Sequence, residues 1–438
     1  MTILESAAAL RAGKVSSLEL TNDSLARIEQ ANPKLNAFIT VLAESARERA
    51  AAMDAELARG IDRGPLHGVP FAHKDIVQTR GIRTTAGSKI FADFVPEEDA
   101  EVATRLHDAG AVLVGKTGLH ELAYGVTSNN PHFGAIRNPW DLERVPGGSS
   151  GGSGAAIAAG LVPMATGTDT GGSIRIPASF CGIVGMKPTY EKVSRRGVLP
   201  LSLTFDHVGP MARTVRDAAA LMQAMASGEI PPPRVDLRGV RIGLPQNFYF
   251  DGLDLEVGYA VRTAVQTAAA LGARIVEVRV PDMEALNVIG RVLQLPEVTA
   301  VYRRQLHRRA DFGADVLALL DQGSLVDAAD YIDAQRLRRI FVEEFSKLWD
   351  QVDCLFTPTI PIVAPKIEES DNVRLAVTRF VRGLNVLGLP ALSIPCGYTK
   401  SGLPIGLQIV GPSHAENQLL RIGAAMEDAA GIGKLAPG

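Results

Sequence analysis

Apolar positions recur at three- and four-residue spacing over Leu18–Ala31 and again over Val41–Arg59, with charged residues between them. The first sixty residues therefore read as amphipathic helices. Ser17 or Thr21 is placed to start the first helix. Pro33 is placed to end it, because proline biases Asn32 before it away from helical geometry. The turn-rich segment Gly64–Pro70 then leads into the apolar run Phe71–Val77. From there to about residue 220, short buried-strand patterns (Ala111–Val114, Ile183–Met186) alternate with helical ones (Glu101–Ala109, Ala155–Ala159). Val240–Leu244 and Arg274–Val280 read as strands flanking a helix over Val257–Leu271. A long helical stretch covers Met283–Lys347, and Cys354–Pro358, Ala391–Pro395 and Pro404–Val410 close the series as strands. Such alternation predicts a layered α/β fold with a buried, partly parallel sheet. Pro231–Pro233 is the clearest linker, read as a surface loop inside one large domain in preference to a domain boundary.

Composition narrows the function classes. The 438 residues carry 45 basic and 48 acidic side chains, and 46% are hydrophobic, a globular balance rather than a disordered one. A pI near 6.3 supplies no overall basic field for a phosphate backbone, so no nucleic-acid partner is expected. No apolar run reaches the roughly 18 residues of a membrane span, and no membrane partner is expected. The N-terminal MTILESAAALRAGK lacks a secretory pattern, and Cys181, Cys354 and Cys396 form neither metal nor disulfide spacing. The default is a cytoplasmic protein without a metal or cofactor, and a homodimer is left open.

Two short motifs mislead. Gly110–Thr117 fits the phosphate-loop pattern G-x-x-x-x-G-K-[ST], but its four intervening residues are Ala, Val, Leu and Val. These favour a buried strand over a loop that cradles phosphates. Gly147–Gly151 fits the G-x-S-x-G elbow, yet the downstream His207, His307 and His414 have no informative neighbours, and a Gly/Ser run matches five residues easily. The histidines His67, His73, His120 and His132 have no metal-type spacing and read as structural or pocket-lining.

The longer run is the informative one. Eleven of the 43 glycines fall between Gly147 and Gly185, interleaved with helix- and strand-like segments. Glycines set among structured elements mark tight turns and close backbone approach rather than a linker. In GGSSGGS, GTDTGGSIRIPA and CGIVGMKP, together with LHGVPFAHKD, VGKTGLHELAYG and the late GLPALSIPCG and GLPIGLQIVG, the chain resembles the amidase signature family of serine amidohydrolases. The resemblance is strongest over residues 64–220 and 385–412.

That resemblance implies a single large α/β/α layered domain around a mixed, mostly parallel central sheet. Residues 1–60 would be N-terminal helices packed on a catalytic region of residues 61–438. It also implies a Ser–Ser–Lys triad in which Ser173 is the nucleophile, Ser149 (after a cis peptide bond) the bridge, and Lys74 the base. The amides of Thr170, Gly171, Gly172 and Ser173 would form the oxyanion hole. Ser150, Asp169 and Arg175 would support the site, and Tyr124, Gly125, Val126, Thr127 and Ser128 would line the substrate. The chemistry is coherent. Lys74 can act as a base only when neutral, so burial or a nearby cation must lower its pKa by about three units from about 10.4. Asp75 beside it could instead hold it charged.

The activity implied is hydrolysis of a small carboxamide or acylamide through a Ser173 acyl-enzyme, with a urea-type bond as a variant. The alternative is the glutaminase-type subunit of a tRNA-dependent amidotransferase. That branch usually carries an acidic residue just after the GLQ strand, where this chain has Ala415 followed by Glu416, and this chain is short for the branch.

Overall fold

The computed structural model describes residues 1–226, 236–431 and 435–436; the Pro231–Pro233 loop lies outside the described residues. The strands are β1 Phe38–Val41, β2 Pro70–Lys74, β3 Val112–Thr117, β4 Asn129–Asn130, β5 Gly134–Ala135, β6 Met164–Asp169 and β7 Val184–Lys187. They continue with β8 His207–Ala212, β9 Arg241–Pro245, β10 Arg274–Val278, β11 Cys354–Pro358, β12 Ala391–Tyr398 and β13 Pro404–Val410. Eleven of them form one sheet in the order β1-β3-β2-β6-β8-β7-β12-β13-β11-β9-β10, and β4 and β5 pair separately.

The sheet is mixed, as expected, but it is not mostly parallel. The β2–β3, β2–β6, β9–β10 and β9–β11 junctions are parallel. The β1–β3, β6–β8, β7–β8, β7–β12, β12–β13 and β11–β13 junctions are antiparallel. The physical reason lies in the connections. A parallel neighbour needs a crossover, whereas β12 and β13 are joined by a short hairpin and β7 returns to β8 without an intervening helix.

Alternate residues of the central strands enter different cores. Phe356, Leu392 and Ile409 pack with the helices Val215–Ala226, Leu255–Ala270 and Glu416–Ala430. Their chain neighbours Leu355, Ala391 and Val410 pack with Leu286, Leu293 and Phe380. Both faces of the sheet are thus covered, the condition for a layered fold. No described helix is long and apolar enough to cross a membrane.

The N-terminal segment departs from its reading in two places. Its second helix spans Ser17–Leu35 with Pro33 inside, starting from a Ser16 cap that Glu19 closes as a capping box. The helix ends instead at Asn36, whose left-handed backbone (φ 54°) turns the chain. Asn32 then clamps the exit, exchanging hydrogen bonds of 3.1 and 2.8 Å with the Phe38 backbone. Proline so close to the C-terminus removes one hydrogen bond without breaking the helix. The following helix begins only at Ala43, because Phe38–Val41 joins the sheet edge against β3.

The dense glycines let elements approach at backbone distance. A Cβ on Gly152, in the helix Gly151–Ala158, would lie 2.5 Å from the carbonyl oxygens of Ala37 and Gly118. Gly152→Ala is therefore expected to destabilise the protein by about 1–3 kcal/mol or more, measured as a lowered urea midpoint at unchanged m-value.

Candidate active site

Lys74 ends β2, and its side chain is fully buried. Its Nζ lies 2.8 Å from Ser149 Oγ, 2.9 Å from Ser150 Oγ and 2.7 Å from Thr168 Oγ1. Thr168 comes from β6, which pairs with β2, so adjacency in the sheet supplies one wall of this nest. Ser149 and Ser150 come from the loop that enters the helix Gly151–Ala158, and the Gly148–Ser149 peptide bond is cis. Burial lowers the Lys74 pKa to about 7, against the opposing pull of Asp169 and Asp206.

Asp75 does not hold Lys74. Its carboxylate turns the other way, accepting from Thr85 N at 2.9 Å and Thr85 Oγ1 at 2.5 Å and facing Lys116 Nζ at 3.4 Å. Lys116 also donates to Val77 O and Thr84 Oγ1, at 2.7 and 2.8 Å. The segment that mimics a phosphate loop is thus strand β3, and its lysine is a buried counter-ion.

Ser173 is buried to 6% exposure, and its carbonyl accepts from Ser150 N at 3.2 Å, tying the two serine loops together. Among the four amides of the expected oxyanion hole, Gly172 N donates to Asp169 Oδ1 at 2.8 Å and is already committed. Those of Thr170, Gly171 and Ser173 meet no acceptor among the described residues. Gly172 adopts φ +118°, and a Cβ there would run into Val381 and Ile176, so this turn requires glycine.

Asp169 fixes the loop. Arg175, itself fully buried, donates to both its carboxylate oxygens at 3.0 Å and reaches Gln408 Oε1 at 2.8 Å and Asn385 Oδ1 at 2.7 Å. Asn385 closes the network by donating to Asp169 Oδ1 at 2.8 Å. Burial alone would raise the Asp169 pKa; the Arg175 guanidinium reverses this and holds it far below the usual carboxylate range. Gln408 sits in β13 and Asn385 just before β12, so the late matched segments converge on the serine loops. Asn385 and Thr168 went unread in the sequence, although Asn385 lies at the edge of the matched late segment and Thr168 within GTDTGGS.

The five expected substrate-lining residues divide. Gly125, Val126 and Thr127 line a cavity of about 400 Å³ with His120, Asp315 and Arg374. Tyr124 lines another, of about 430 Å³. Ser128 faces inward: its Oγ donates to Ser149 O at 3.3 Å and accepts from Gly151 N at 3.2 Å, bracing the loop instead of a ligand. A third cavity of about 340 Å³ reaches Thr168 and Thr170. The four histidines separate to Met53 O, Thr166, Asp315 and Glu121 respectively.

The amidase family model matches residues 19–420. The chain belongs to the amidase family. It is 42% identical to a Glutamyl-tRNA(Gln) amidotransferase subunit from Halorhodospira halophila, covering 96% of each chain. Among solved structures, one from work on a vestigial protein complex and the origins of an s-triazine catabolic enzyme matches with a TM-score of 0.93 and 34% identity, over 99% of this chain and 100% of the other. The peptide amidase of Stenotrophomonas maltophilia matches with a TM-score of 0.88 and 32% identity, over 100% and 98%.

The amidotransferase relatives overturn the expectation of no nucleic-acid partner, since their own name includes Glutamyl-tRNA(Gln). A pI averages the charge of the whole chain and says nothing about one local surface or about a companion protein.

Removing Arg175 would leave Asp169 charged and buried. Arg175→Met is therefore expected to cost about 3–5 kcal/mol, read in urea denaturation. The double variant with Asp169→Asn should recover part of that loss.

Proposed function

We propose that this chain hydrolyses the carbon–nitrogen bond of a small carboxamide through a Ser173 acyl-enzyme. The observation that carries this reading is Lys74: fully buried, 2.8 Å from Ser149 Oγ, and without a carboxylate at ion-pair distance among the described residues. Donor accounting is compatible with its acting as a base when neutral. Ser150 Oγ donates to Thr168 O at 3.1 Å, so it can only accept from Lys74. A neutral amine that donates to Ser150 Oγ and Thr168 Oγ1 has one lone pair left, which faces the Ser149 hydroxyl. Ser149 then gives its proton to Lys74 and takes one from Ser173 as Ser173 attacks the carbonyl.

The tetrahedral oxyanion is received by the uncommitted amides of Thr170, Gly171 and Ser173, where preorganised N–H groups stabilise the developing charge. Protonated Lys74 returns its proton through Ser149 to the departing nitrogen. Water, deprotonated by the same relay, releases the acid. Ser150 and Thr168 orient the amine, and Asp169 and Arg175 hold the loop in shape.

A second reading, the amide-cleaving subunit of a tRNA-dependent amidotransferase, draws on the 42% identity to a protein of that name. On that reading glutamine supplies the ammonia, and companion proteins bring the tRNA. Position 415 speaks against it. That branch usually carries an acidic residue just after the GLQ strand; Ala415 stands near that position here, and Oε1 of the neighbouring Glu416 accepts from Thr189 N at 2.7 Å.

Two measurements test the proposal. The purified chain alone should release ammonia from simple amides, and Ser173→Ala should lower kcat by at least about 10⁴-fold. Release from glutamine only when companion proteins are added would favour the second reading; no release under either condition would sink both. Because Lys74 must be neutral to accept a proton, kcat/KM should rise about tenfold per pH unit below pH about 7 and level off above it. A profile flat from pH 5 to 8 would remove Lys74 from the role of base.

A further inference from the structure

Three arginines from separate elements converge beside the oxyanion loop. Arg291 lies in the helix Met283–Tyr302, Arg374 opens the helix Arg374–Thr378, and Arg382 opens the helix Arg382–Val386. All three line the 430 Å³ cavity with Tyr124, Gln294 and Gln322. Arg374 stacks 4.9 Å above the Tyr124 ring and donates to Tyr124 O at 3.1 Å. Arg382 is 7% exposed, and its Nε is buried without a hydrogen-bond partner. Among the described residues, no carboxylate lies within ion-pair distance of any of the three. Asp315, whose charge Arg374 feels, is engaged by His120 Nε2 at 2.8 Å.

A buried guanidinium without an acceptor is costly, and two further cations beside it raise that cost. Burial first, then Arg374 and Arg291, lower the Arg382 pKa to about 9, which still leaves it charged at neutral pH. Proteins keep such a cluster where an anion arrives to satisfy it, because a guanidinium fork matches a carboxylate in shape and charge. Position decides the length of the ligand. A Cβ built on Gly171 would lie 3.7 Å from Arg382 Nε, so the cation sits directly against the loop proposed to receive the oxyanion.

We infer that Arg382, with Arg374 and Arg291, forms a carboxylate subsite, and that the substrate is a short amide whose far end is an anionic carboxylate, such as the monoamide of a small dicarboxylic acid. This deepens the amide-hydrolase reading and rests on it. The carboxylate docks on Arg382 while the carboxamide reaches Ser173.

The test separates the two claims. Succinate, the product-like dicarboxylate, is titrated calorimetrically into the Ser173→Ala protein. Binding is expected, and Arg382→Gln in that background should weaken it by about 10- to 100-fold, the range of one lost charge-assisted hydrogen bond. Arg291→Gln, on a half-buried side chain, is the companion variant should Arg382→Gln fail to fold by its melting curve, and it should weaken binding in the same direction. Absence of succinate binding, or binding indifferent to the arginines, overturns the subsite whatever the enzyme turns over. In parallel, wild-type kcat/KM for succinamate should exceed that for butyramide by a similar factor. Ammonia from neither, with arginine-dependent succinate binding intact, would sink the hydrolase reading and leave the subsite standing.

Discussion

The structure is organised around keeping one lysine buried without a counter-ion. Lys74 sits on a central strand with only hydroxyls around its amine, and an ammonium there pays a desolvation cost that hydroxyl oxygens only partly offset. The adjacent carboxylate, Asp75, would cancel this arrangement if it turned inward. It does not, because Lys116 and Thr85 occupy it on the other side of the strand. The division falls at the end of β2, where Lys74 is the last strand residue and Asp75 opens the turn that follows. The lysine in the false phosphate-loop motif thus has a physical task after all: it pairs with the carboxylate next to Lys74 and keeps it away from that amine.

The same logic of saturation governs the serine loops. Asp169 lies near enough to Lys74 to raise its pKa, but its oxygens are taken by Arg175, Asn385 and the amides of Gly172 and Ile174. Asp206 is similarly taken by Thr170 Oγ1 and the amides of Leu201 and Ser202. Each carboxylate is therefore an architectural anchor for the loop that carries Ser173. The consequence is that Asp169 occupies one of the four amides expected in the oxyanion hole. Arg175 in turn reaches β13 through Gln408, which explains why sequence segments more than two hundred residues apart resemble one family together.

What the sequence revealed follows from how local each signal is. Lys74, Ser149 and Ser173 sit inside contiguous motifs whose glycines and neighbours are dictated by close backbone approach, so they could be read without a structure. Most strand positions were legible for the same reason, because short apolar runs announce themselves, but β1, β6 and β8 went unread. Strand direction was not: β12 and β13 form a hairpin and β8 returns beside β6, facts set by connections and by distant pairing rather than by local pattern. Pro33 looked like a terminator because its local preference is real, yet the Asn36 turn and the Asn32 clamp set the boundary. The three arginines were illegible altogether. They come from separate helices with no common spacing, and only the folded chain makes them neighbours.

The site consequently has two electrically unlike halves. Around Lys74 the carboxylates of Asp75, Asp169 and Asp206 are engaged by other groups, so a protonated Lys74 finds no free anion. Around Tyr124 the reverse holds: cations outnumber acceptors, and Arg382 Nε has none. An amide that carried a negative charge would be stabilised at one end of this gradient only. Its orientation would then be settled before any contact with Ser173, by the side on which its charge can be neutralised. A neutral amide of the same size has no such bias and must be positioned by shape alone. The unequal distribution of engaged and unengaged groups, rather than the serines themselves, would set the orientation of the charged amide.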